Sequence, residues 1–165
     1  MAQNLNRKEV LGGLLHRIGN YSPAQFDQDF NQRLIIQKTI YLMQQFDLYI
    51  GYDFNWYLRG PYSPDLTRDS YQILRRYGEL PKIGFADLEA EARFQRFLAF
   101  TSRRLHDHDW LEAVASIHYL HKRTSNNDPE TIYRRITAKM PTLNRKLFDE
   151  SWAHLNSFGL LEATN

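Results

Sequence analysis

Cysteine is absent from the 165 residues, which excludes disulfides, thiolate zinc sites, iron–sulfur ligation and a cysteine nucleophile. That absence fits a reducing cytoplasm. Proline and glycine are sparse, at 6 and 8, and no Pro-rich linker, low-complexity tract or internal repeat divides the chain. Apolar runs are short as well. Val10 to Leu15 is ended by His16 and Arg17 far short of a membrane span, and no small-residue cleavage site follows, so the expectation is a cytoplasmic, soluble protein. An excess of one charge is also missing. The 21 basic and 19 acidic side chains leave a net charge of +2, far from the field of a protein that wraps nucleic acid. Missing too are the P-loop, G-x-G-x-x-G, G-x-S-x-G and H-E-x-x-H signatures, so no enzymatic activity, cofactor or metal is expected.

Aromatic residues are what the chain has in plenty, at 14%, with ten Tyr, ten Phe and three Trp. A chain of this length can remove roughly 70% of its extended surface from water, so a packed core needs no staples. Val10, Leu11, Leu14, Leu15 and Ile18 share one helical face behind a cap at Asn6. A longer helix is predicted from Phe30 to Phe46. From Tyr52 the period becomes two, placing Tyr52, Phe54, Trp56 and Leu58 on one side of a strand and Tyr57 and Arg59 on the other. Gly60-Pro61-Tyr62-Ser63-Pro64 reads as a turn, because prolines disrupt both ladder and helix. A helix then begins at Pro64 or Asp65 and ends near Gly78, and a second strand is expected at Lys82 to Phe85. Asp87 caps a long helix, and three more follow at about 109–122, 129–139 and 142–158, the last stopped by Gly159. The expected fold class is mostly α (α+β). It is a single domain over 1–165 of about six to seven helices with a small β-hairpin, whose C-terminal end admits a winged-helix arrangement.

The runs Gln37-Lys38-Thr39-Ile40-Tyr41-Leu42-Met43-Gln44, Gly51-Tyr52-Asp53-Phe54 and Trp56-Tyr57-Leu58-Arg59-Gly60-Pro61-Tyr62-Ser63-Pro64-Asp65-Leu66 resemble the uncharacterised YwgA-type family. Leu111 to Leu120 is similar to that family's "L-x-x-T-I-H-Y-L" helix, and Lys139 to Leu161 to its closing helix. The resemblance covers about residues 34–161, with 1–33 as an N-terminal helical extension. The same pattern recurs in the C-terminal domain of DarG-type antitoxins and, more distantly, in SocA-like and Panacea antitoxin domains. It implies a non-enzymatic module that binds a protein partner, a toxin or nuclease encoded nearby, as an antitoxin-like or antiviral-defence adaptor. The macrodomain that removes ADP-ribose in DarG-type antitoxins is not part of what it implies.

Two sets of residues are candidates for function. Seven of the ten tyrosines fall between Tyr41 and Tyr77, and Tyr, Trp and Arg are enriched at interface hot spots. Tyr57, Arg59, Gly60, Pro61 and Tyr62 are therefore the candidate partner-binding residues, although a Gly-Pro turn has a purely structural use as well. The alternative is a helix-turn-helix DNA-binding regulator. Lys122 to Phe158 holds seven basic residues against four acidic ones, and Arg134, Arg135, Lys139, Asn144, Arg145 and Lys146 would reach phosphates or bases. His106-Asp107-His108-Asp109 carries metal-ligand types without completing a known ligand pattern. Its plainer reading is a helix corner capped by Asp109, with His118 a hydrogen-bonded core residue on the next helix.

Overall fold

The computed structural model describes residues 5–80 and 82–162; residues 1–4 and 163–165 of the expected domain lie outside the described residues. Helix α1 (Arg7–Ile18) starts at a capping box, in which the Asn6 side chain accepts from the Glu9 N–H and the Glu9 carboxylate accepts from the Asn6 N–H. Expected as part of an N-terminal extension, α1 belongs to the same core as the later helices. Leu11, Leu14 and Leu15 are fully buried. A short α2 (Pro23–Gln28) follows, unforeseen because six residues carry too little periodicity to register.

Helix α3 (Phe30–Gln44) is buried on nearly every side and packs against α6 (His108–Arg123) at the centre of the molecule. Around this pair stand α4 (Pro64–Ile73), which continues as a 3-10 turn to Glu79, and α5 (Leu88–Thr101), capped by Asp87. α7 (Pro129–Thr137) and α8 (Arg145–Ser157) close the other side of α6. Phe46, Phe97, Phe100 and Phe158 meet edge to face or tilted between them, with centroids 5.1 to 6.4 Å apart. The mostly helical expectation holds, with eight α-helices among the described residues in place of six to seven.

The hairpin differs from expectation in its second strand. β1 (Asn55–Tyr57) pairs antiparallel with β2 (Gly60–Tyr62), Trp56 facing Pro61 across a two-residue turn at Leu58 and Arg59. Lys82 to Phe85 forms no strand. Pro61 cannot donate a ladder hydrogen bond, but a two-stranded hairpin has room for a proline because no further strand needs its N–H. The ladder is three residues long. Because the hairpin lies between α3 and α4 in the chain, no wing follows the two C-terminal helices among the described residues.

A buried polar knot ties α1 to α4. Arg7 Nε and the Tyr52 hydroxyl both donate to Asp69 Oδ2 at 2.8 Å, and the Asp69 side chain is 4% exposed. Asp69→Ala should lower stability by about 2 kcal/mol, since it strands a buried hydroxyl and a partly buried guanidinium. A lowered urea midpoint at unchanged slope is the expected reading. An unchanged midpoint would show that the knot is dispensable.

Candidate functional site

The hairpin rests on α3 and α6 through one close approach. Gly60 has φ 95°, and a Cβ placed there would stand 2.3 Å from Ser116 Oγ and 3.5 Å from Lys38 Nζ. Only glycine meets both conditions. Directly below lies Lys38, 3% exposed although it is a lysine. Its ammonium donates to the Pro61 carbonyl oxygen at 2.7 Å, which fastens β2 to α3. Burial lowers the Lys38 pKa to about 7, with the Glu112 carboxylate opposing that shift and the Arg59 guanidinium adding to it.

Arg59 leaves the turn to grip Glu112 on α6 with both ends of its fork, Nε to Oε1 at 2.9 Å and Nη2 to Oε2 at 2.6 Å. The Glu112 side chain is 1% exposed and that of Arg59 35%. Burial pushes the Glu112 carboxyl up while Arg59 pulls it down, and the two-fold geometry is that of an ionised carboxylate. With Lys38 protonated, the three groups together carry one uncompensated positive charge.

A cleft of about 300 Å³ opens beside this cluster between α3, α4 and the hairpin. Lys38 and Gly60 are buried members of its lining, Tyr57 and Tyr62 stand side by side with centroids 5.3 Å apart, and Phe30, Leu58 and Tyr71 are exposed along it. Phe30, Tyr57, Leu58 and Tyr71 are four of the six large hydrophobic side chains exposed among the described residues, and all four line this one cleft. Its charged lining consists of Arg33, Lys38 and Arg59, with no carboxylate.

The partner-binding candidates thus come together, with corrections. Tyr57 is exposed as expected and Tyr62 is half-buried, while Gly60 and Pro61 are buried and act as scaffold. Strand alternation stops at Tyr57, because Leu58 and Arg59 form the turn. Leu58, expected inside, is 69% exposed; Arg59, expected outside, turns in to Glu112. Trp56 is only half-buried. The sequence reading missed Lys38 and Glu112. Lys38 falls four residues after Leu34 and four before Leu42, on the apolar face of α3, and that placement was the available signal.

The nucleic-acid candidates divide. Asn144 is the cap of α8, its side chain accepting from the Leu147 N–H at 2.8 Å. Arg145 is held by Glu130 and Asp149 and lies over the rings of Tyr133 and Phe148, and Lys146 lies 4.0 Å from Glu150. Arg134 is exposed on α7. Arg135 and Lys139 instead join Arg123 around a second cleft of about 390 Å³ that is also lined by Trp56 and Tyr119. Arg123 stacks over Tyr119 at 3.8 Å, and no carboxylate lines this cleft.

Asp107, rather than Asp109, caps α6, its side chain accepting from the Trp110 N–H at 3.1 Å. His118 is a core residue bonded through Nδ1 to the Tyr41 hydroxyl at 2.7 Å, and burial lowers its pKa to about 3. Among the described residues no three His, Asp or Glu side chains are grouped to hold a metal ion, and no helix is long and apolar enough to cross a membrane. No family model matches the chain, and neither a curated protein nor a solved structure matches it.

Proposed function

We propose that the protein is a non-enzymatic interaction module that binds a partner protein through the cleft beside the hairpin. The gathering of four exposed apolar side chains at that one cleft carries the reading, since apolar surface clustered around a concavity marks contact sites. A toxin or nuclease as partner, bound by an antitoxin-like or defence-associated adaptor in the cytoplasm, rests on the family resemblance of residues 34–161. Tyr57 and Leu58 would be the anchors, standing on a turn that Gly60 and Lys38 hold fixed, so little ordering entropy is lost on binding.

Titration of the co-purified partner checks this. Tyr57→Ala and Leu58→Ala should each weaken the complex about 30-fold, equivalent to about 2 kcal/mol, and leave the melting temperature within about 2 °C of the parent. Arg59→Ala would not be informative here, because it also strands Glu112. Variants that bind as tightly as the parent would place the contact elsewhere.

A second reading, nucleic-acid binding, is favoured by the three cations and two aromatic rings of the other cleft. It replaces the tip of α8, where Asn144 and Arg145 are already engaged. A single strand would stack a base on Trp56 and place phosphates near Arg123, Arg135 and Lys139. On this reading Arg135→Ala and Lys139→Ala should each reduce the slope of log affinity against log salt by about 0.7 for single-stranded DNA. Binding with an unaltered slope would reject it.

A further inference from the structure

We propose that the cleft beside the hairpin receives an aromatic residue carrying a free carboxylate, the carboxyl-terminal residue of a partner chain. This rests on the partner-binding reading and adds the chemistry of what is bound. Charge comes first. The cleft is lined by three cations and no carboxylate, but they are not equally free. Arg59 is occupied by Glu112. Arg33 donates to the carbonyl oxygens of Phe26 and Asp27. Lys38 has one hydrogen bond, to Pro61, for three N–H donors, and no carboxylate of the described residues stands within 4.0 Å of its ammonium. Holding the Pro61 carbonyl requires a donor but not a charge, and an amide would serve.

Size and lining narrow the class. A volume of about 300 Å³ suits one aromatic side chain better than a folded surface or a duplex. The walls are rings and aliphatic carbons, with Gln37 and Thr67 already bonded to each other and to Ser63. An anion with an aromatic body therefore satisfies both parts of the site, and a terminal carboxylate places the charge within one residue of the ring. The groups facing Lys38 from neighbouring elements are Glu112 on α6 and Arg59 on the turn. Burial leaves the Lys38 amine only partly protonated at neutral pH, so a bound carboxylate would draw the proton onto it.

The test is an NMR titration of the whole protein with N-acetyl-alanyl-alanyl-phenylalanine, the same peptide as its C-terminal amide, and 3-phenylpropionate. The peptide acid should shift resonances of residues 30–38 and 57–62 and bind at least tenfold more tightly than the amide. Its affinity should fall by up to about tenfold between pH 7.5 and 8.5 as free Lys38 loses its proton. Lys38→Met should erase the preference for acid over amide. The comparison of acid and amide on the unaltered protein stands even if that variant folds poorly. Equal affinities, or shifts confined to other surfaces, would overturn the proposal. Tighter binding of 3-phenylpropionate than of the peptide would also overturn it, reassigning the cleft to a free aromatic acid. If the peptide acid fails to bind while Tyr57→Ala still weakens the partner complex, the carboxylate assignment falls and the partner-binding reading survives.

Discussion

Gly60→Ala should be among the most damaging single substitutions in this chain, lowering stability by about 4 kcal/mol and the melting temperature by about 10 °C. Two separate effects add. A left-handed backbone at φ 95° costs a non-glycine residue about 1–2 kcal/mol, and the new methyl would lie 2.3 Å from Ser116 Oγ, an overpacking that typically costs about 1–3 kcal/mol. Relief is blocked on both sides. Ser116 is fully buried on the central helix α6, and the Lys38 ammonium lies 3.5 Å from the same Cβ position. The hairpin would have to lift, which breaks the Lys38 bond to Pro61 and opens the cleft. Gly78→Ala is the control, because nothing lies within 4 Å of its Cβ position and its φ is not positive; it should change stability by less than about 1 kcal/mol. Similar melting temperatures for the two variants would show that the close approach at Gly60 relaxes freely.

What the sequence made legible follows from how local each feature is. Helix starts at Asn6, Asp87 and Asp128 were readable because a capping side chain and its N–H target lie two or three residues apart. The second strand was misplaced for the opposite reason. Gly-Pro reads as a breaker, and only the tertiary fact that β2 is the last strand of its sheet lets Pro61 serve there. Leu58 and Arg59 were assigned to the wrong sides because strand alternation was carried two residues past the point where the chain turns. The most buried part of the site was hidden by residue type. Lys38 and Glu112 are charged residues within helices, a pattern normally read as a solvated face, and they meet the hairpin only through contacts distant in sequence, Glu112 with Arg59 across 53 residues and Lys38 with Pro61 across 23. The aromatic density between Tyr41 and Tyr77 did mark the region, but the rings serve different ends: Tyr41 and Tyr52 are core, while Tyr57 and Tyr71 are exposed at the cleft.

Lys38→Met should make the protein more stable, and do so most strongly below pH 7. In the folded chain the Lys38 pKa is lowered from 10.5 to about 7, so between those values the unfolded chain holds a proton that the folded chain has released. Stability therefore rises with pH across that window, and the full penalty of the buried lysine is present below about pH 7. Lowering the pKa from 10.5 to about 7 is on the order of 5 kcal/mol, set against about 2 kcal/mol for leaving the buried Pro61 carbonyl without its partner. The net gain for Lys38→Met at pH 6.5 is then about 3 kcal/mol, fading toward zero or a small loss near pH 10. Above pH 10 the buried hydroxyls of Tyr21, Tyr41 and Tyr52, all with raised pKa values, reverse the trend, because the unfolded tyrosines ionise first. Below about pH 6.5 the neutral core His118 lowers stability further in both proteins. The parent should thus be most stable between about pH 9 and 10 and the variant over a broad plateau from about pH 7, which urea unfolding from pH 6 to 10.5 would resolve. A parallel pH dependence in the two proteins would mean that Lys38 keeps its proton in the folded state. A more stable Lys38→Met variant would agree with the binding role proposed for the cleft that Lys38 lines, since stability is commonly sacrificed where function needs a strained or charged group.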